Sequence, residues 1–311
     1  MAVFNGLQAE HFETYAPEKW SSMVHNLARM KTKDVVVSLA EAIGSRPGET
    51  FEGLVRGASD EIPNITNQKK VDSQWVYWYR NKEAREALSS LLGKTVLDQA
   101  SIFTTAAHEK HIILAIIVRN DRLTAGVRIA KSAEVDRNNL IAKLEKEEHS
   151  KAFLEILTGL PQNLVVGAES SLSPCADMSS ADALETMLDT LRGGNEAFFL
   201  GLSLDSKEAI EAGDGLLDTL AQVMDASAKV YQMVSWAREN DFIGATHEIK
   251  REKQEKLKRA ANFQPGDKVR ITKGLLSGKI GVVESVDAKA VAKVSVGQMS
   301  LKVPGQDLVP L

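Results

Sequence analysis

Cysteine and long apolar runs are the two features that this chain most clearly lacks. Cys175 is its only cysteine among 311 residues, so an intrachain disulfide and a zinc site built from several cysteines are excluded. No stretch reaches the ~18 consecutive apolar residues that a membrane-spanning helix needs, and residues 1–6 lack the basic and apolar regions of a signal peptide. We therefore expect a cytoplasmic protein with no membrane partner.

A complete catalytic motif is also lacking. Gly93-Lys94-Thr95 is similar to the end of a phosphate-binding loop, but the first glycine of that loop would fall on Leu88, and the triplet follows a predicted helix rather than a strand. His108 and His111 are three positions apart, whereas a helical metal site of the H-E-x-x-H type needs a spacing of four. We interpret both histidines as solvated loop residues, and we predict neither a cofactor nor a metal.

Charge is distributed unevenly along the chain. The whole sequence carries 38 Lys and Arg against 42 Asp and Glu, a net charge of −4. Residues 248–311 hold thirteen basic and seven acidic residues, a net charge of +6, which leaves −10 on residues 1–247. Because phosphate neutralisation by Lys and Arg drives sequence-independent nucleic-acid affinity, a basic tail on an acidic body is typical of a phosphate-binding appendage.

The basic residues begin in a segment with almost no apolar face. A helix that is polar on all sides is a connector or a binding arm rather than part of a core. We therefore predict a basic helical linker at 248–262, between an acidic domain at 1–247 and a C-terminal domain at 263–311. A solvated helix with mixed charges is the alternative. The candidate binding residues of the linker are Lys250, Arg251, Lys253, Lys256, Lys258 and Arg259.

Residues 1–247 are predicted to be α+β, with helices packed on a mostly antiparallel sheet of four or five strands. The clearest element is a hairpin at 111–129, where an apolar strand, a short polar turn and an alternating strand follow one another. Loops are expected at 45–72, with room for one short helix, and at 167–180. The alternation of helices and strands over 133–240 leaves βαβ units open.

The N-terminal pattern predicts two helices. The first begins near Pro17, and the second ends at Gly44 as its C-cap. Lys31-Thr32-Lys33-Asp34 separates them, because the helical recurrence of apolar residues is interrupted there. The apolar residues that define the first helix are Trp20, Met23, Val24, Leu27 and Met30.

Half of the tryptophans and tyrosines lie in one run, Trp75-Val76-Tyr77-Trp78-Tyr79. Aromatic and β-branched residues favour a strand, with Trp75, Tyr77 and Tyr79 on one side and Val76 and Trp78 on the other. We expect both sides to be largely covered, because aromatic side chains usually serve cores. The functional alternative is a platform on which bases stack, and the cations beside it are Lys69, Lys70 and Arg80.

Residues 263–311 carry a clear β pattern. Apolar residues alternate at Val269 and Ile271, a turn follows, and alternation resumes at Ile280 and Val282, which predicts a half-buried strand pair. A second pair is predicted at 292–303. Glycine takes positive φ without a Cβ penalty, so it suits positions where the chain turns or another backbone approaches. The structural glycines are Gly266, Gly274, Gly278 and Gly281.

This layout resembles the KOW module of transcription and ribosomal proteins, an SH3-like barrel of about five short strands. Residues 294–304 are most similar to the KOW module of the MutS-like ribosome-rescue nucleases, and next to the C-terminal barrel of NusG. The resemblance covers 49 of 311 residues. The matching residues, at the family's spacing, are Gly266, Asp267, Val269, Ile271, Gly274, Gly278, Gly281 and Val283.

The resemblance implies that the turn at 272–279 and the neighbouring strand ends form a contact surface. Its phosphate or partner contacts would be Lys268, Arg270, Lys273 and Lys279, with Lys293 and Lys302 as further contributors. We expect a non-enzymatic factor of transcription or translation that binds RNA, DNA or a ribonucleoprotein machine such as the ribosome or RNA polymerase. Three alternatives stay open: an enzyme with its active site in residues 1–247, a protein-binding adaptor, and an SH3-like barrel without a nucleic-acid partner.

Overall fold

The chain divides into two compact units, Met1–Ile243 and Gly244–Leu311. Both contain an antiparallel sheet, and the first also contains helices, so the α+β prediction is confirmed. The predicted linker at 248–262 lies outside the described residues. The computed structural model describes residues 4, 6–65, 67–88, 107–244, 263–274, 276–287 and 291–311.

A seven-stranded sheet forms the centre of the first unit, with the order β1-β2-β3-β4-β7-β5-β6. Every neighbouring pair in it is antiparallel. The expectation of four or five strands is therefore wrong, and the βαβ alternative, which needs parallel strands, does not apply to this sheet. The strands are β1 (Leu54–Ala58), β2 (Ser73–Arg80), β3 (Ile112–Arg119), β4 (Arg122–Ile129), β5 (Leu164–Ala168), β6 (Ser171–Pro174) and β7 (Phe198–Asp205).

The strands that the sequence pattern missed, β1 and β6, are the two edges of this sheet. Both fall in segments predicted to be loops, at 45–72 and 167–180. Neither shows the alternation of a half-buried strand. An edge strand pairs with one neighbour only, so short length, polar side chains and even a proline are compatible with it.

Helices cover one face of the sheet. Leu216–Val234 packs across β3, β4 and β7, and Asn26–Gly44 packs on β2. The predicted hairpin is confirmed, because β3 and β4 pair from Ile112 opposite Ile129 to Val118 opposite Leu123. Further helices are Ala9–Glu13, Ala107–Lys110, Glu134–Leu144, Glu147–Thr158, Ala181–Arg192 and Ser206–Glu211, and residues 82–88 are helical as well.

The N-terminal segment forms one long helix where two were expected. Asn26–Gly44 runs without a break through Lys31–Asp34 and follows two short 3₁₀ turns. Arg29 is fully buried and donates to the carbonyl oxygens of Ser22 at 3.0 Å and Trp20 at 3.3 Å. The side of this segment that carries Arg29 therefore faces the protein interior. Met23, Val24, Leu27 and Met30 are exposed.

The opposite face of the seven-stranded sheet carries a separate aromatic cluster. Trp75 and Tyr77 pack there with Ile113, Ala115 and Ile117 of β3, and Tyr79 packs against them. Val76 and Trp78 belong to the main core under the helices. The alternation predicted for this strand is confirmed, and so is the burial of both of its sides. The stacking-platform alternative is therefore wrong.

His108 and His111 pack against this aromatic cluster, so their interpretation as solvated residues is wrong. The ring of His108 lies 4.6 Å from that of Trp75, and the ring of His111 lies 5.9 Å from that of Tyr79. Burial is the main cause that lowers the pKa of each imidazole to about 4. The positive charges of Arg128 near His108 and of Arg80 near His111 act in the same direction.

A buried ion pair joins the end of β2 to the helix Glu134–Leu144. Arg80 donates from Nη1 to Oδ2 of Asp136 at 2.7 Å and from Nη2 to Oδ1. Asp136 also accepts the backbone N–H groups of Ile112 at 2.8 Å and Trp236 at 2.9 Å. Burial alone would raise the pKa of Asp136, but the Arg80 charge and these hydrogen bonds lower it overall.

The second unit contains a five-stranded antiparallel sheet with the order β11-β10-β9-β8-β12. In the described residues no ladder joins β11 to β12, so this sheet is open at both edges. Its core contains Phe263, Val269, Val283, Val294 and Leu308. The strands are β8 (Lys268–Ile271), β9 (Ile280–Val286), β10 (Val291–Val296), β11 (Met299–Pro304) and β12 (Leu308–Pro310).

The side-chain pattern of β9 is opposite to the predicted one. Gly281 and Val283 face the core, whereas Ile280 and Val282 are exposed. The core position of Gly281 has no room for a side chain, because a Cβ there would lie 2.5 Å from Cγ1 of Val294. Only glycine fits next to β10 at this point, so the inward side of β9 combines Gly281 with Val283.

Candidate nucleic-acid interface

The outer face of the C-terminal sheet presents two neighbouring cations. Lys268 and Arg270 are exposed on β8, while Val269 and Ile271, which alternate with them, are buried. Residues two apart on a strand point to the same side and lie about 7 Å apart. The buried residues therefore fix both cations on one outward surface.

Exposed aliphatic side chains flank these cations. Arg270 lies opposite Ile280 on β9 and Val309 on β12, and Lys268 lies opposite Val282. The exposed fractions of Ile280, Val309 and Val282 are 52%, 48% and 39%. We call Lys268, Arg270, Ile280, Val282 and Val309 the outer strip. It offers positive charge and apolar surface side by side.

The turn residues 272–274 and 276–279 follow β8 and carry two more lysines. The N–H of Gly278 donates to the carbonyl oxygen of Ile271 at 2.7 Å, and the N–H of Ile271 donates to that of Lys279 at 2.9 Å. Gly274 and Gly278 both have φ of 85°, a conformation that other residues rarely adopt. The turn holds the exposed Lys279 next to the outer strip, at the start of β9.

The lysines of this unit differ in whether they have acidic partners. Lys273 lies 3.8 Å from Asp307, and Lys293 lies 2.7 Å from Glu284. Hydrogen bonds from Lys293 and Ser300 lower the pKa of the Glu284 carboxyl. Within the part of the chain that the structure describes, no ion pair neutralises the remaining cations, which are Lys268, Arg270, Lys279 and Lys302.

The structure thus brings some of the predicted site residues together. Lys268 and Arg270 share a face, and Lys273 and Lys279 lie on the turn beside it. Gly266 has a positive φ of 100° and lies two residues before the first strand of this sheet, β8. The six predicted linker residues Lys250, Arg251, Lys253, Lys256, Lys258 and Arg259 lie outside the described residues.

Sequence reasoning missed the aliphatic half of the outer strip. Ile280 and Val282 were assigned to the core because both faces of β9 carry apolar residues and alternation alone cannot choose between them. The available signal was Gly281, since a glycine inside a strand often marks a close approach of another backbone. The face on which Val309 lies was ambiguous as well, because β12 is only three residues long.

The alternative of an active site in residues 1–247 depends on which side chains the structure brings together there. His108 and His111 are packed among aromatic rings, and Nδ1 of His11 accepts the backbone N–H of Gln8 at 3.0 Å. The described residues contain no group of three or more His, Cys, Asp or Glu side chains that could hold a metal ion. Two clefts of the described surface, one lined by Arg119 and Ser203 and the other by Thr50 and Asp225, contain no histidine.

Comparison with known proteins gives no family for this chain. Neither the scan against protein-family models nor the search of curated proteins finds a match. No helix in the described parts of the chain is long and apolar enough to cross a membrane.

Proposed function

We propose that the C-terminal unit is a KOW-type SH3-like module with which a non-enzymatic factor binds RNA, DNA or a ribonucleoprotein assembly. The observation that carries this proposal is the outer strip, where Lys268 and Arg270 are exposed on one face with no acidic partner in the described residues. Surface cations without an acidic partner contribute most to the free energy of phosphate binding, because each contact releases a counterion from the nucleic acid.

The charge distribution supports contact through this end of the chain. Residues 1–247 carry a net charge of −10, which repels phosphate, and residues 248–311 carry +6. A polyanion is therefore steered towards the C-terminal part. The KOW resemblance suggests the ribosome and RNA polymerase as these assemblies, so we propose a role in translation or transcription.

A protein partner is the second candidate, and the composition of the outer strip favours it. The exposed apolar residues of the strip are aliphatic, and the only aromatic residue in 263–311 is the buried Phe263. Base stacking on aromatic rings, a common source of affinity for single strands, is not available here. Ile280, Val282 and Val309 suit the apolar surface of a protein, including a protein component of a ribonucleoprotein.

An affinity purification of the full chain, with and without nuclease treatment, tests both candidates. If RNA or DNA carries the contact, nuclease should remove the partners, and raising the salt concentration should weaken their retention steeply. If the contact is with a protein, the partners should survive nuclease and be lost in an Ile280→Ser/Val282→Ser variant. Retention of the same partners in that variant and in Lys268→Gln/Arg270→Gln would refute the proposed interface.

A further inference from the structure

A solvent-open cleft of about 340 Å³ lies on the face of the seven-stranded sheet opposite the helices Asn26–Gly44 and Leu216–Val234. Thr124 of β4 and Ser203 of β7 lie directly opposite each other and belong to its lining, with Phe199 on the same strand as Ser203. A volume of this size is typical of a pocket for a small molecule. None of the residues that line it carries a recognisable sequence motif.

Two glycines form a row of the sheet between the lining residues Ser203 and Phe199. Gly126 and Gly201 lie opposite each other on β4 and β7, in the row between Thr124–Ser203 and Arg128–Phe199. A Cβ on Gly126 would lie 2.2 Å from the carbonyl oxygen of Leu200, and one on Gly201 would lie 2.1 Å from that of Ala125. Neither position accepts a side chain, so the sheet has an empty row where other sheets carry side chains.

The cleft and its rim carry three arginines, of which two have carboxylate partners. Arg122 lies 2.7 Å from Asp121. Arg128, next to the cleft, donates through Nε and Nη2 to the two carboxylate oxygens of Glu169 at 2.6 and 3.1 Å. These two pairs are locally neutral, so the charge of the cleft depends on the third arginine.

Arg119 is that third arginine, and it is half-buried without an ion-pair partner in the described residues. Its single hydrogen bond there is a long one, 3.4 Å from Nη1 to Oγ1 of Thr124. Burial lowers its pKa, Glu169 and Asp72 oppose that shift, and Arg128 adds to it. A buried guanidinium without a partner is costly, and it has N–H groups left to donate.

The guanidinium of Arg119 lies over an aromatic ring. Its guanidinium carbon lies 5.5 Å from the ring centre of Trp75, and that of Arg128 lies 5.0 Å from the same ring. Trp75 is itself held by a 2.7 Å hydrogen bond from Nε1 to Oγ of Ser73. A guanidinium that is oriented in advance loses little entropy when it binds an oxyanion.

We propose that this cleft binds a small molecule bearing one phosphate or carboxylate group, with Arg119 as the charged anchor and the hydroxyls of Thr124 and Ser203 as further donors. Guanidinium groups recognise both oxyanions through paired N–H donors. Phe199 and Leu172 line the cleft as well and suit an apolar group next to the anion. This proposal is independent of the C-terminal sheet.

Calorimetric titration of the full chain with phenyl phosphate and with benzoate tests the proposal and separates the two anions. Saturable binding of at least one probe is expected, and Arg119→Gln should weaken it by roughly 10- to 100-fold, since a hydrogen bond to a charged group contributes about 1.5–3 kcal/mol. Ser203→Ala, which removes a half-exposed hydroxyl, should weaken probe binding by several fold. This variant provides a second test if Arg119→Gln does not fold.

Two control variants locate the binding. Arg56→Gln removes an exposed guanidinium paired with Glu41 at 2.8 Å, and Lys268→Gln/Arg270→Gln removes the cations of the outer strip. Neither should change the affinity for either probe. The proposal is overturned if neither probe binds, if binding is unchanged in Arg119→Gln, or if binding is lost in the outer-strip variant.

Discussion

Replacement of Arg80 by methionine should destabilise the first unit far more than the loss of an ordinary surface ion pair. Arg80 is 5% exposed and Asp136 is 0% exposed. Without Arg80, the Asp136 carboxylate keeps only the backbone N–H groups of Ile112 and Trp236 as donors in the described residues. Breaking a buried ion pair from one side costs about 3–5 kcal/mol.

That cost is measurable by urea unfolding followed through tryptophan fluorescence, and by the melting temperature. In a domain of this size 1 kcal/mol corresponds to about 2–4 °C, so Arg80→Met should lower the melting temperature by roughly 6–20 °C. The stabilisation by the Arg80–Asp136 pair also depends on pH. The pKa of Asp136 is lowered in the folded state, so its stabilisation is present above the unfolded pKa and is lost as pH falls below it.

The exposed pair Arg56–Glu41, at 2.8 Å, is the matched control. Arg56→Met should cost no more than about 1 kcal/mol, because surface ion pairs contribute little. The double variant Arg80→Met/Asp136→Leu should be less destabilised than the sum of its single variants, since each single variant leaves a lone buried charge and the double variant leaves none. A loss in Arg80→Met as small as that in Arg56→Met would refute the reasoning.

Three further predictions concern the first unit. Gly126→Ala should cost at least about 2 kcal/mol in urea unfolding because its Cβ would meet the neighbouring strand, whereas Gly215→Ala, with nothing within 4 Å, should be near neutral. Cys175 is buried and its pKa is raised to about 12, so a thiol reagent at pH 8 should label it only after unfolding; rapid labelling of the native protein would contradict this. His108 and His111, with pKa values of about 4, should make the fold lose stability as pH falls from about 6.5 to about 4, and His108→Gln/His111→Gln should flatten that dependence; an unchanged pH profile would contradict it.

Alternation in the sequence predicted those strands whose two faces meet different surroundings. In β2, Val76 and Trp78 enter the helix-covered core while Trp75 and Tyr77 enter the aromatic cluster. The hairpin of β3 and β4 was predictable for the same reason, since a long apolar run next to an alternating strand has few other solutions. Burial on both faces of a strand can therefore be recognised from its residue types.

Features that depend on distant neighbours were not predictable. The edge strands β1 and β6 are held by backbone pairing with β2 and β5, which any side chain permits. The inward side of β9 carries Gly281, where a Cβ would lie 2.5 Å from Cγ1 of Val294 on the neighbouring strand. The unpaired state of Arg119 depends on Glu169, fifty residues further along the chain, being bound to Arg128. No local pattern carries that information.

The salt dependence of nucleic-acid binding by the full chain tests the central claim most directly. Fluorescence anisotropy with a single-stranded RNA, from 50 to 200 mM salt, gives the slope of log K against log salt concentration. Each phosphate contact contributes about −0.7 to that slope, so Lys268→Gln/Arg270→Gln should make it shallower by roughly 1.4. Lys151→Gln/Arg56→Gln removes one lysine and one arginine from exposed ion pairs of the first unit and should leave the slope unchanged. An unchanged slope in the outer-strip variant, or an equal change in both, would contradict the account.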